Sequence, residues 1–326
     1  MTLARPVSYT RLIVDAPTDT PAAGTVANTY AEDLAPETAT AQAAAHDAPT
    51  PPGPDNPPWG VGAALLVWLA SVGLLFIVPT LAGAGYIIAR LRHLSAEQLG
   101  AALLADPHFI LISVAAVIPA HLLTFWLVWW LVTQNGRHSF GALMGWRWSH
   151  SLGALEIFSC IGVVVLLVLI NSQIGRYFPG GDTDLEKIIS SSLAARYVIV
   201  VLATFSAPLV EEAVYRGVLY PALRRAIGTA WAVLAVSLLF ASVHVYQYRA
   251  NVGVIMAITL LSLALTLVRA RTGRLLPCVV IHFLFNGVTS IWIVLAPYMK
   301  ELAPPTPPAP TGLLLSALAR MLRLHL

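Results

Sequence analysis

Charge is what this sequence lacks most. Only 11% of its 326 residues are Asp, Glu, Lys or Arg, where soluble domains carry roughly 25%. Hydrophobic residues make up 57%, and the mean hydropathy is +0.75. Too little polar surface remains to cover a water-soluble globule, which excludes a cytosolic enzyme, a secreted disulfide scaffold and a DNA-binding module. Cysteine is nearly absent as well. Cys160 and Cys278 both fall inside apolar runs, so they read as small buried hydrophobes rather than a disulfide or a zinc pair. A signal peptide is not expected, because the first 57 residues lack an apolar core of the required length. The net charge of +3 and pI near 9.0 could suggest nucleic acid. The basic residues, however, sit between apolar runs as membrane-flanking loops do, so membrane lipids are the expected partner and nucleic acid is not.

What the chain does have is long uncharged stretches. Lys, Arg, Asp and Glu are missing between Asp55 and Arg90 and between Asp106 and Arg137. A spanning helix needs about 20 apolar residues. On that rule the first spans cover roughly 60–89 and 108–133, the second ending in Trp126, Trp129 and Trp130, an interfacial belt. Further spans follow between Glu156 and Arg176, over 195–222, 226–248 and 249–269, and from Pro277 to Pro297. The fold expected is all-α, a polytopic transmembrane bundle of about seven to eight spans. Residues 1–57 read as a disordered Ala/Pro/Thr-rich tail carrying −5, which leaves +8 for the rest. Residues 58–300 form the helical domain, with its chemical core at about 195–298. Residues 301–326 are a Pro-rich linker and an amphipathic helix lying in the interface. Basic residues divide seven against seven between the two sets of loops, so the positive-inside rule selects no orientation.

The fourth span breaks the charge pattern. Its PLVEEAVYRGVLYPAL stretch places Glu211, Glu212 and Arg216 at depth, where ionisable groups are costly and mark function. Glu212 and Arg216 are four residues apart with Glu first, the favourable order for a helical ion pair. Glu211 lies about 100° around the helix from Glu212 and is left to face something else. The fifth span supplies His244 in FASVH, with Phe240 one turn earlier. The seventh supplies His282 and Asn286 in HFLFN. With a turn at Gly228, Glu211 and His244 fall at nearly equal depth, each about 25 Å from it at about 1.5 Å per residue. His282 lies only about 13 Å beyond a turn at Gly273, and is level with them only if the 217–228 end of the hairpin projects further.

EEAVYRG, FASVH and HFLFN, in that order on successive spans, closely resemble the three motifs of the CPBP family of CAAX proteases and bacteriocin-processing enzymes. The resemblance covers about residues 140–298, including FGALMGWRW (Phe140–Trp148). One position departs from the pattern: Tyr215 stands where Phe is commoner. The resemblance implies an intramembrane endopeptidase of the glutamate type, type II CAAX endopeptidase-like, usually called a metalloprotease. It acts on a membrane-associated protein or peptide. By position, Glu211 would be the general base that activates water and His244 would cooperate with it, directly or through a metal. His282 and Asn286 would hold the oxyanion or help bind a metal, and Glu212 with Arg216 would be structural support. Glu211, His244 and His282 could instead ligate zinc with an open position. No HExxH, GxSG or GxGD signature is present, which leaves the site-2-type, rhomboid and presenilin-type readings without support. His121 reads as a structural polar group in the second span. The rival to a protease is a transporter or assembly scaffold that uses the buried Glu/His cluster for ion or proton handling. The tail composition suggests a bacterial cytoplasmic membrane, and the oligomeric state stays open.

Overall fold

The computed structural model describes residues 51–302 except Asp182. The amphipathic C-terminal segment and residues 1–50 of the tail expected from the sequence lie outside the described residues. Among the described residues every regular element is helical. Seven helical stretches among them are long and apolar enough to cross a membrane: Val61–Leu91, Pro107–Thr133, Gly153–Tyr177, Leu193–Ile227, Thr229–Tyr248, Val252–Thr272 and Leu276–Leu295. Each agrees with its expected span to within a few residues. Large apolar side chains such as Leu66, Phe76, Phe158, Leu166, Trp231 and Ile291 stand outward, which is stable only in hydrocarbon. The chain is a multi-pass integral membrane protein.

The elements in chain order are α1 (Val61–Tyr86), α2 (Ala96–Ala105), α3 (Pro107–Ala115), α4 (Val117–Thr133), α5 (Phe140–Met144) and α6 (Gly153–Tyr177). Then come α7 (Asp184–Ser191), α8 (Leu193–Val201), α9 (Ala207–Glu212), α10 (Tyr220–Ile227), α11 (Thr229–Tyr248), α12 (Val252–Thr272) and α13 (Leu276–Leu302). The fourth span is one continuous rod made of α8, α9 and α10. π-Helical segments at Leu202–Ser206 and Ala213–Leu219 join its parts. π-Turns inside α-helices occur often at functional sites. Here they bracket the single stretch of α-helix that carries both carboxylates. The 213–219 segment is buried at every residue, because α1, α4, α5 and α12 all pack around it.

Short turns set the depth of the later spans. Gly228 (φ +80°) separates α10 from α11, and Gly273 (φ +65°) caps α12. Gly145, after α5, also has a left-handed backbone (φ +65°), and its carbonyl accepts from Leu275 N–H at 3.0 Å. A Cβ there would lie 2.6 Å from the Gly273 carbonyl oxygen. Gly145→Ala should therefore lose about 1–3 kcal/mol to backbone strain alone, with the clash adding to it. Thermal unfolding in detergent should show a lower midpoint; an unchanged midpoint would refute this account of the 145–275 contact.

The last residues of the expected tail depart from expectation. Gly53 and Asn56 close a small turn through paired backbone hydrogen bonds. Arg225 donates to the carbonyls of Pro57 and Trp59, and the buried Trp59 indole donates to Val218 O at 3.1 Å. Arginines that lie far along the sequence hold this strap, so low hydrophobicity within the tail could not reveal it.

Candidate active site

Burial of Arg216 is the starting point. Its guanidinium is wholly inaccessible, and every nitrogen is satisfied. Nη1 donates to Glu212 Oε1 at 2.9 Å, Nε to Thr266 Oγ1 at 3.2 Å, and Nη2 to Ser262 Oγ and the Ser262 carbonyl at 2.7 and 2.9 Å. The Phe240 ring lies 4.8 Å from the guanidinium carbon, within cation–π range. The pair expected from the four-residue spacing is thus present, although the residues between its members are π-helical rather than α-helical. Ser262 and Thr266 belong to α12, and their part was not read from the sequence. The signal was available: Ser262, Thr266 and Arg269 recur at helical spacing on one face of an apolar helix.

Glu212 has a second duty. The same Oε1 receives His282 Nδ1 at 2.8 Å, with both side chains buried. An ionised carboxylate only accepts, so Nδ1 carries the proton and Nε2 is turned to the other side. There it meets Glu211, whose Oε2 lies 3.7 Å away. That separation is too long for a hydrogen bond, yet close enough for both groups to act on one small molecule between them. Glu211 is the more open of the two carboxylates, its side chain 23% exposed against none for Glu212. The level placement of Glu211 and His282 means that the 217–228 end of the hairpin does extend past the turn at Gly273, by roughly 12 Å on the rise arithmetic.

The other expected residues are placed less directly. His244 Nδ1 lies 2.8 Å from the Phe240 carbonyl, which accepts its proton and fixes the tautomer with Nε2 bare. Among the described residues no hydrogen bond or ion pair joins His244 to Glu211. The Phe240 ring neighbours both histidines, 4.9 Å from the His244 ring and 6.1 Å from the His282 ring. Asn286, one turn after His282, donates from Nδ2 to the Ala203 carbonyl at 2.9 Å. Ala203 lies in the first π-segment, so this bond ties the seventh span to the fourth. His121 is buried and pairs through Nδ1 with Ser206 Oγ at 2.9 Å. Tyr215 fills its departure from the family pattern with a specific bond, since its hydroxyl accepts from the Trp68 indole at 3.0 Å.

A three-ligand metal set asks more than this. Among the described residues no three His, Cys, Asp or Glu side chains gather as a metal-binding group. Glu211 Oε2 and His282 Nε2 converge, but His244 does not complete a set with them. What the arrangement supplies chemically is an accessible carboxylate beside an imidazole nitrogen, with the imidazole locked from behind by a second carboxylate.

Residues 193–288 match the family model described as Type II CAAX prenyl endopeptidase Rce1-like. The matched stretch contains Glu211, Glu212, Arg216, His244, His282 and Asn286. No curated protein and no solved structure matches the chain significantly.

Proposed function

We propose, on the premise that this chain is a member of the CAAX protease family, that it is an intramembrane endopeptidase. Its substrate is a peptide bond in a membrane-associated protein or peptide. The observation that carries the reading is the approach of Glu211 Oε2 to His282 Nε2 at 3.7 Å, with Glu212 bound to the other imidazole nitrogen.

Peptide hydrolysis needs a base for water and a donor for the tetrahedral oxyanion. Glu211 takes a proton from a water held beside it, and the water oxygen bonds to the substrate carbonyl carbon. The C–N bond then breaks as Glu211 returns the proton to the leaving nitrogen. His282 supplies the oxyanion donor. Its Nδ1–H is committed to Glu212, so Nε2 donates only from the doubly protonated ring. The second amide hydrogen of Asn286 assists, and His244 Nε2 orients the water. The chemistry is built from these side chains, with no step routed through a metal. The membrane proposed is a bacterial cytoplasmic one, following the composition of the tail.

Purified protein in nanodiscs, incubated with internally quenched peptides, tests the reading. One peptide carries a farnesylated C-terminal CAAX sequence, and its partner is the same sequence without the lipid. Cleavage of either one, lost in Glu211→Gln, is the expected result, and comparison of the two decides whether a prenyl group is recognised. No cleavage, with protonation-linked ion flux in liposomes instead, would favour a transporter. Metal is checked separately. Stoichiometric zinc whose removal ends turnover and whose return restores it would replace the general-base account with a zinc site on Glu211, His244 and His282.

A further inference from the structure

The Gly53–Trp59 strap contacts the fourth span behind the catalytic pair, and its contacts are not only anchoring ones. Arg269, fully buried on α12, reaches the strap with two nitrogens. Nη2 donates to the Pro54 carbonyl at 2.7 Å, and Nη1 meets Asp55 Oδ1 at 3.3 Å. Its third nitrogen, Nε, donates to the backbone carbonyl of Arg216 at 3.1 Å. That carbonyl has a specific need of a donor. In the π-segment, Tyr220 N–H goes to the Tyr215 carbonyl five residues back. The residue next in line for Arg216 is Pro221, which has no N–H. A buried carbonyl without a partner is costly, and Arg269 supplies the missing bond.

A continuous series of contacts follows. Asp55 holds Arg269, Arg269 holds the Arg216 backbone, and the Arg216 guanidinium holds Glu212. Glu212 in turn holds His282 Nδ1. Asp55 is the only acidic partner of Arg269 among the described residues, and it also bridges Arg224 at 2.7 Å. Arg225 and Trp59 also pin the strap, so Asp55 and Arg269 are not its sole attachment.

We propose that Asp55 and Arg269 are positioning residues for the catalytic imidazole: the strap ahead of the first span, through Arg269, sets the Arg216–Glu212 pair that orients His282. The proposal rests on the reading of Glu211 and His282 as the reacting pair only for its effect on turnover. Its structural content stands apart from that reading.

The test uses the full chain in nanodiscs with ¹⁵N-labelled histidine at fixed pH. The His282 Nδ1–H signal is assigned by its loss in His282→Gln. Asp55→Asn should move that signal, and Asp55→Glu should return it close to its wild-type position. The double variant Asp55→Asn with Arg269→Met leaves no unpaired buried charge, so it keeps the test open if the single variant fails to fold; it should displace the signal as well. Arg225→Met, which removes the contacts to the Pro57 and Trp59 carbonyls and leaves the Asp55–Arg269 pair intact, should leave the signal in place. On a quenched peptide that the wild type cleaves, the double variant should lose about tenfold or more in kcat with KM little changed, as a displaced catalytic group does. An unmoved His282 signal in the double variant, with only the melting point lowered, would overturn the proposal. A moved signal in a protein that cleaves no peptide would sustain the positioning and remove the protease reading instead.

Discussion

Replacing Glu211 by Gln is expected to end peptide cleavage and leave the helical bundle folded. The amide keeps the size of the carboxylate and can still hydrogen-bond, but it cannot accept a proton from water. Loss of a general base costs about 10²–10⁴-fold. The fold should not notice, because Glu211 is partly exposed and, among the described residues, makes no buried ion pair with an arginine. Turnover of wild type and variant on the same quenched peptide, with thermal unfolding of each, separates the two effects. Equal turnover would remove Glu211 as the base. A collapsed melting transition would assign it a structural role instead.

Arg216→Met should act in the opposite way, on the fold first. It leaves the Glu212 carboxylate buried without its guanidinium partner and releases Ser262 and Thr266, and breaking a buried pair from one side costs about 3–5 kcal/mol. The double variant Glu212→Leu with Arg216→Met removes both charges and should be milder in stability than the single variant. It should nonetheless stay inactive, since Glu212 Oε1 is also the partner of His282 Nδ1. This parting of stability from activity is the signature sought. A thermal-melt double-mutant cycle without coupling would sink the ion pair, and recovered turnover in the double variant would sink the second duty of Glu212.

The sequence carried most of the bundle and part of the site, for physical reasons visible at individual residues. The spans were legible because hydrocarbon tolerates almost no charge, so runs such as that between Asp55 and Arg90 announce themselves. Glu212–Arg216 was legible because a four-residue spacing is local. What was not legible is all non-local. That Glu212 also binds His282, seventy residues on, depends on how the fourth and seventh spans pack. The π-segments at Leu202–Ser206 and Ala213–Leu219 leave no composition signal, yet they decide which backbone carbonyls lack donors. Pro221 is the one local clue, since it denies Arg216 its partner. Arg269 read as another basic residue at a span end, whereas it is among the most buried side chains of the protein.

Trp68 and Trp59 carry a practical consequence. Both precede residue 193, and both donate into the matched stretch, Trp68 to the Tyr215 hydroxyl and Trp59 to the Val218 carbonyl. The family segment is therefore not an exchangeable cassette. Grafted behind a foreign first helix, residues 193–288 would keep every motif and still lose two indole donors, leaving a phenol oxygen and a backbone carbonyl to find new ones in a dry interior. A working chimera has to bring residues 53–68 with the graft, so the transplantable unit is more than one piece of chain.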